Sequence, residues 1–283
     1  MSIEMRAPFQ YTTGWRKAMP QTIFRTALIT GASAGMGAEF ARQLAAAGTN
    51  LILVARRLDR LTEMARELQG QHAVKVEVLQ ADLATSEGVE RVERRIAEDA
   101  TFDLLVNNAG FGGGPGSFRE REAGHHLNMV QVHVAATVRL CRGALPGMIA
   151  RGRGGIINLA SIAAFSPFSG PMYSGTKAFL VMFSENLQGE LQDTGVSIQA
   201  LCPGMTHTEF HEVADIDKAI VPEFLWMTAE KVVRISLRRL GRGAICVPGW
   251  KNKTIAFLMR CPITAAGVRA IGRSRAVRKK AGR

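Results

Sequence analysis

Tyr173 and Lys177 stand four residues apart in "YSGTK", on one face of any helix that carries them, and Ser161 lies 12 positions upstream. A phenol titrates near 10, too high to trade protons readily at neutral pH. A cation beside it favours phenolate and brings that value toward the working range. A serine hydroxyl nearby can hold and polarise a carbonyl oxygen. The trio therefore suits proton transfer at a carbonyl or an alcohol. Y-x-x-x-K alone occurs by chance in many helices, so its weight depends on where the chain places it.

A second group is "TGASAGMG", residues 30–37. Gly31, Gly35 and Gly37 allow a tight turn and a close backbone approach, with Ser33, Ala34 and Met36 filling the turn. A helix opening here offers free N–H groups and a positive dipole end to a pyrophosphate. The spacing is T-G-x-x-x-G-x-G rather than G-x-G-x-x-G. About twenty residues beyond Gly35, where an NAD site places an acid for the ribose 2′-hydroxyl, the chain reads Ala55, Arg56, Arg57. Two guanidinium groups suit a 2′-phosphate, so NADP(H) is favoured over NAD(H). The plainer alternative is that both arginines are surface charges at a helix entry. Asp82, with Leu83 beside it, stands where the adenine amino group can be met.

These residues need a scaffold, and the chain alternates short apolar runs with helical segments. Strands are expected in "TIFRTALIT", "NLILVAR", "VKVEVLQADL", "FDLLVNNAG", "GGIINLAS", "VSIQALCPG" and "GAICVPG". Helices are expected over 36–48, 60–69, 86–98, about 120–150, 173–193 and about 228–240, with Gly48 as a C-cap. Apolar strands alternating with helices give an α/β fold: one Rossmann-like, doubly wound parallel sheet of about seven strands flanked by helices. The glycine turn then follows the first strand and Ser161 ends the fifth, where ligands bind in such sheets. No repeat or linker divides residues 22–250. Residues 1–21 read as a loose extension and 251–283 as an apolar, basic one.

In order along residues 22–250, "TGASAGMG", Asp82, "NNAG" (107–110), Ser161, "YSGTK" and "CPGMT" (202–206) make the chain resemble the short-chain dehydrogenase/reductase family. The resemblance implies hydride transfer between nicotinamide and a carbonyl or secondary alcohol. It casts Tyr173 as acid/base, Ser161 as the group orienting the substrate oxygen, and Lys177 as the group that lowers the tyrosine pKa and contacts the nicotinamide ribose. Asn107 would buttress the sheet, and Asn108, Ala109 and Gly110 would line the cofactor cleft. Pro203, Gly204 and Thr206 would border the nicotinamide. "VARR" and "VPGWKN" look like an NADP-preferring bacterial subgroup. Homo-oligomers are expected on the same ground.

Two departures stand out. The Ser161–Tyr173 spacing is one residue shorter than is usual in the family. The helix before the fifth strand carries His133-Val134-Ala135-Ala136 where the family places asparagine in N-V-x-G. In the family that residue's carbonyl holds a water linked to the lysine. His133 sits among apolar neighbours, and a buried imidazole needs partners. It reads as a structural substitute, as a relay member titrating near pH 6–7, or as an impairing change. The last option, with the short loop, keeps open the alternative of a non-catalytic nucleotide-binding or scaffold protein.

Composition sets the remaining bounds. The chain has 283 residues, 47% hydrophobic and 21% charged, enough for a real core. Four cysteines without C-x-x-C spacing and no visible signal peptide point to a reduced, cytoplasmic setting. His125–His126 and the His207/His211 pair lack further ligands, so no metal is expected. The net charge of +12 is a C-terminal property: residues 231–283 hold 15 Lys/Arg and no acid. That segment is too interrupted by Arg260, Pro262 and Arg269 to span a bilayer, but suits contact with an anionic membrane surface. No aromatic or recognition-helix pattern accompanies it, so nucleic acid is not an expected partner. Between 206 and 228, Phe210, Ile216, Ile220, Phe224, Leu225, Trp226 and Met227 form an apolar lid; with Phe165 and Phe168 they suggest a hydrophobic small-molecule substrate.

Overall fold

Apolar runs flanked by glycine and polar turns become strands, buried on both faces except toward the sheet edges. In the computed structural model, which describes residues 24–99, 101–113, 117–166, 170–208 and 222–260, they are β1 (Thr26–Thr30), β2 (Asn50–Ala55), β3 (Val76–Gln80), β4 (Phe102–Asn107), β5 (Gly154–Leu159) and β6 (Val196–Leu201). Two short strands, β7 (Thr206–His207) and β8 (Met227–Thr228), pair apart from the sheet, and β9 (Ile245–Cys246) completes it. The main sheet has seven strands in the order β3-β2-β1-β4-β5-β6-β9, all parallel. The order reverses between β1 and β4, so a crevice opens at their C-terminal ends.

Helices α1 (Gly35–Ala46), α2 (Leu58–Gln71), α3 (Ser86–Ala97), α4 (Ala123–Val130), α5 (Ala136–Ala150), α6 (Pro171–Glu190) and α7 (Ala229–Arg239) cover both faces. A further helix, α8 (Trp250–Arg260), lies beyond β9. One core gathers Ile29, Phe40, Leu44 and Leu53 with Val232 and Val233 of α7; the other gathers Leu28, Ile52, Val89, Leu105 and Leu140 on the opposite face. No described helix is long and apolar enough to cross a membrane.

Three boundaries differ from the sequence reading. Among the described residues the first strand begins at Thr26, because the preceding Arg25 amide donates to the Asp103 carboxylate instead of entering the ladder. The third ends at Gln80, because Ala84 N–H donates to Asp82 and turns the chain. The region expected as one helix over 120–150 is α4 and α5 joined by a π-helical turn, Gln131–Ala135, which contains His133.

Candidate active site

The crevice is built first by two glycines. Gly31 has φ +65°, and a Cβ there would stand 2.8 Å from Asn108 Nδ2; a Cβ on Gly37 would collide with the Gly31 carbonyl oxygen. Both positions let the turn press against the end of β4. Asn108 Nδ2 donates to the Thr30 and Gly31 carbonyls, while the Asn108 and Ala109 amides donate to Thr30 Oγ1. Thr30 was not singled out from sequence, yet its hydroxyl ties the turn to "NNAG". Helix α1 then starts at Gly35 with Ala34 as N-cap, no capping side chain and no acid in its first turn. Its open N–H groups suit a pyrophosphate.

At the neighbouring end of β2, Arg57 Nε and Nη2 donate to Ser33 Oγ at 3.1 and 3.0 Å. This brings a guanidinium into the phosphate turn itself. Arg56 is exposed, and its carbonyl accepts from Gln80 Nε2. Asp82 Oδ1 accepts from Ala84, and Leu83 offers its carbonyl to Gln131 Nε2 at 3.5 Å. This donor set and the cradle without Cβ atoms fit a dinucleotide bearing a 2′-phosphate.

Across the crevice, Ser161 N-caps a 3₁₀ turn, Ile162–Phe165, and its Oγ accepts from the Ala163 amide. Tyr173, in the first turn of α6, hydrogen-bonds Ser161, so the short loop still allows the two hydroxyls to meet. Burial pushes Tyr173 up to about 12, and the bond to Ser161 pulls the other way. Lys177 is buried one turn on. Its Nζ donates to the Leu159 carbonyl at 2.7 Å and stands 5.7 Å from the Tyr173 ring centroid. Burial lowers Lys177 to about 8. Burial is the larger influence on the phenol, and the Lys177 ammonium meets the Leu159 carbonyl. Ile162 N–H donates to Pro203 O, and Thr206 Oγ1 donates to Gly204 O, which brings the loop after β6 to the same place.

Beneath lies a buried network. Asn107 Nδ2 donates to Asn158 Oδ1 and approaches Cys141 Sγ, and Asn158 Nδ2 donates to Ser184 Oγ. It cross-links β4, β5 and α6. Of its members only Asn107 was read from sequence. Asn252 of α8, also missed, is buried against Gly204 and donates to the Pro248 carbonyl. Nothing in "WKNKT" marks it, since an asparagine after a turn is ordinarily exposed.

His133 is 1% exposed. Its Nε2 accepts the Phe111 amide at 3.0 Å, and its Nδ1 meets Thr176 Oγ1 at 3.0 Å. Thr176 already donates to the Tyr173 carbonyl, so the shared proton is on Nδ1. Burial and the nearby Lys177 charge hold the imidazole well below its usual 6.5. The expected relay titrating near pH 6–7 is thus not what this environment gives: both nitrogens are occupied and the ring stays neutral.

Of the apolar lid, Trp226 is buried and stacks on His207 at 4.8 Å, while Phe224 is exposed. Phe165 closes the turn that Ser161 opens. Phe168, Phe210, Ile216 and Ile220 lie outside the described residues.

Residues 25–219 match the family model described as short chain dehydrogenase. The chain belongs to that family. As in its other members, the reaction expected of this short-chain dehydrogenase is oxidoreduction at C=O or CH–OH. The chain is 38% identical over 186 residues to "Sulfoacetaldehyde reductase 2" of Chromohalobacter salexigens, which covers 65% of this chain and 73% of the relative. Among solved structures it is similar to a short-chain dehydrogenase from Sphingobium yanoikuyae in complex with NADPH, at 33% identity and TM-score 0.76, over 89% of this chain and 96% of that one. It is also similar to the bulky-bulky ketone specific alcohol dehydrogenase from Comamonas testosteroni, at 30% identity and TM-score 0.73, over 90% and 96%.

Proposed function

We propose that this short-chain dehydrogenase is an NADP(H)-dependent carbonyl reductase or alcohol dehydrogenase for a hydrophobic substrate, with Tyr173 as its acid/base. The observation that carries this is the Tyr173–Ser161 hydrogen bond with Lys177 one turn behind. NADP(H), when bound, supplies or accepts the hydride. Arg57 and Ser33 would take its 2′-phosphate, and the N–H groups opening α1 its pyrophosphate; the Arg57–Ser33 hydrogen bonds at the phosphate turn support this.

Ser161 holds the substrate oxygen, and Tyr173 passes its hydroxyl proton to that oxygen as the carbonyl becomes an alcohol. Burial keeps Tyr173 protonated at neutral pH, which suits proton donation and hence reduction. Lys177, while charged, steadies the phenolate left behind. Trp226, Phe165 and the apolar residues of 206–228 support a hydrophobic substrate. Purified protein should oxidise NADPH with an apolar ketone. Tyr173→Phe should lower turnover by about 10²–10⁴-fold while NADPH still binds in a fluorescence titration. NADPH binding with no Tyr173-dependent turnover of any ketone or alcohol would instead favour the scaffold reading.

His133 acts in this scheme as a positioning residue. It braces the Phe111 backbone against Thr176 and so fixes how "NNAGF" meets α6. Two further readings concern partners. The basic run of 261–283, which follows exposed Trp250 in sequence, supports peripheral contact with an anionic membrane surface. Exposed Phe179 and Met182 on α6 support association with a second copy.

A further inference from the structure

A groove beside the reaction site is lined by Phe165, Val247, Lys253, Ala256, Phe257 and Arg260. Phe165 and Val247 pack on Ala160, Ala200 and Cys202 at the ends of β5 and β6, so the floor continues the strand that ends at Ser161. Its far wall is α8, with Ala256 buried and Phe257 exposed.

Two cations stand in this apolar setting. The Arg260 guanidinium lies over the Phe165 ring, its Cζ 5.1 Å from the centroid. Lys253 stands two turns earlier, roughly 10 Å along the axis. Neither takes part in an ion pair among the described residues. The groove adjoins the reaction site through Phe165, which ends the 3₁₀ turn that Ser161 caps. Exposed cations on a helix are ordinarily a solvated face. Here one guanidinium lies over an aromatic ring at the groove wall, with its N–H fork open to an anion.

We propose that the groove binds the anionic end of an apolar oxo substrate, with the chain against Phe165 and Phe257 and a carboxylate or phosphate at Arg260 and Lys253. This rests on the oxidoreductase reading above and adds the substrate class to it. Charge complementarity selects the occupant: a neutral ketone would fill the apolar floor and leave both cations without a partner.

The test uses the full chain, NADPH and three methyl ketones of one chain length, ending in carboxylate, phosphate monoester or neutral methyl ester. The anions should show the higher kcat/KM. Arg260→Gln should lower the anion-to-ester ratio of kcat/KM about tenfold, as expected for a lost charge-assisted hydrogen bond. Arg260→Lys should keep most of the ratio, and added salt should reduce it. Lys231→Gln, on an exposed face of α7, controls for general surface charge and should leave the ratio unchanged. Whichever anion gives the higher ratio identifies the head group. A wild-type ratio near one, or a ratio indifferent to both Arg260→Gln and Lys253→Gln while the ester still turns over, overturns the proposal and leaves the oxidoreductase reading standing. Absence of Tyr173-dependent turnover with all three probes, ester included, removes both.

Discussion

Lys177 keeps its charge only below about pH 8, because burial works against the ammonium while the Leu159 carbonyl is its hydrogen-bond partner. The cation needed behind Tyr173 is then lost as pH rises through that value. We expect kcat/KM for carbonyl reduction to fall with an apparent pKa near 8, and Lys177→Arg, if active, to move that limb upward. An unshifted limb would show that another group sets it. His133 gives a prediction of opposite sign. Its pKa is depressed in the folded chain, so the unfolded chain binds more protons below about 6.5. The neutral imidazole's contribution is present above that value and lost as pH falls. Between pH 7.5 and 5.5, wild type should lose more thermal stability than His133→Asn, which lacks the imidazole at that position; equal loss in scanning calorimetry would refute it.

At the scale of elements, the site depends on ends meeting. The turn after β1, the end of β4 and the end of β2 converge because Thr30, Asn108 and Gly37 permit backbone contact and Arg57 reaches back to Ser33. Arg57→Ala should raise the dissociation constant for NADPH about 10–100-fold, the usual cost of a charge-assisted contact, and leave that for NADH almost unchanged. Isothermal titration with both cofactors measures this, and equal weakening of the two would place Arg57 outside the 2′-phosphate site. The π-helical turn between α4 and α5 is the other such device. It inserts His133 between the Phe111 backbone and α6, where a regular helix would present a different side.

At the scale of the molecule, a parallel sheet with helices on both faces gathers these ends along one edge. Seven Lys/Arg and no acid lie in 261–283. If they meet an anionic surface, full-length protein should co-sediment with phosphatidylserine-containing vesicles at low salt. Removing 261–283 should weaken this by roughly tenfold or more, given about 1 kcal/mol per basic residue near such a surface. Binding unchanged by the deletion would sink the idea.

Much of this was legible in the chain itself. Apolar runs alternating with helical segments, a glycine turn after the first run and Tyr173–Lys177 after the fifth required a doubly wound sheet with chemistry at one edge, because strand burial and helical spacing are local properties of sequence. Ser161 and Arg57 followed from their places at strand ends. What the sequence left open was set by contacts between distant segments. Neither the neutrality of His133 nor the high pKa of Tyr173 could be read from neighbouring letters, since desolvation depends on what the fold packs around a group. The same holds for Thr30, for buried Asn252, and for the groove where α8 brings Arg260 against Phe165.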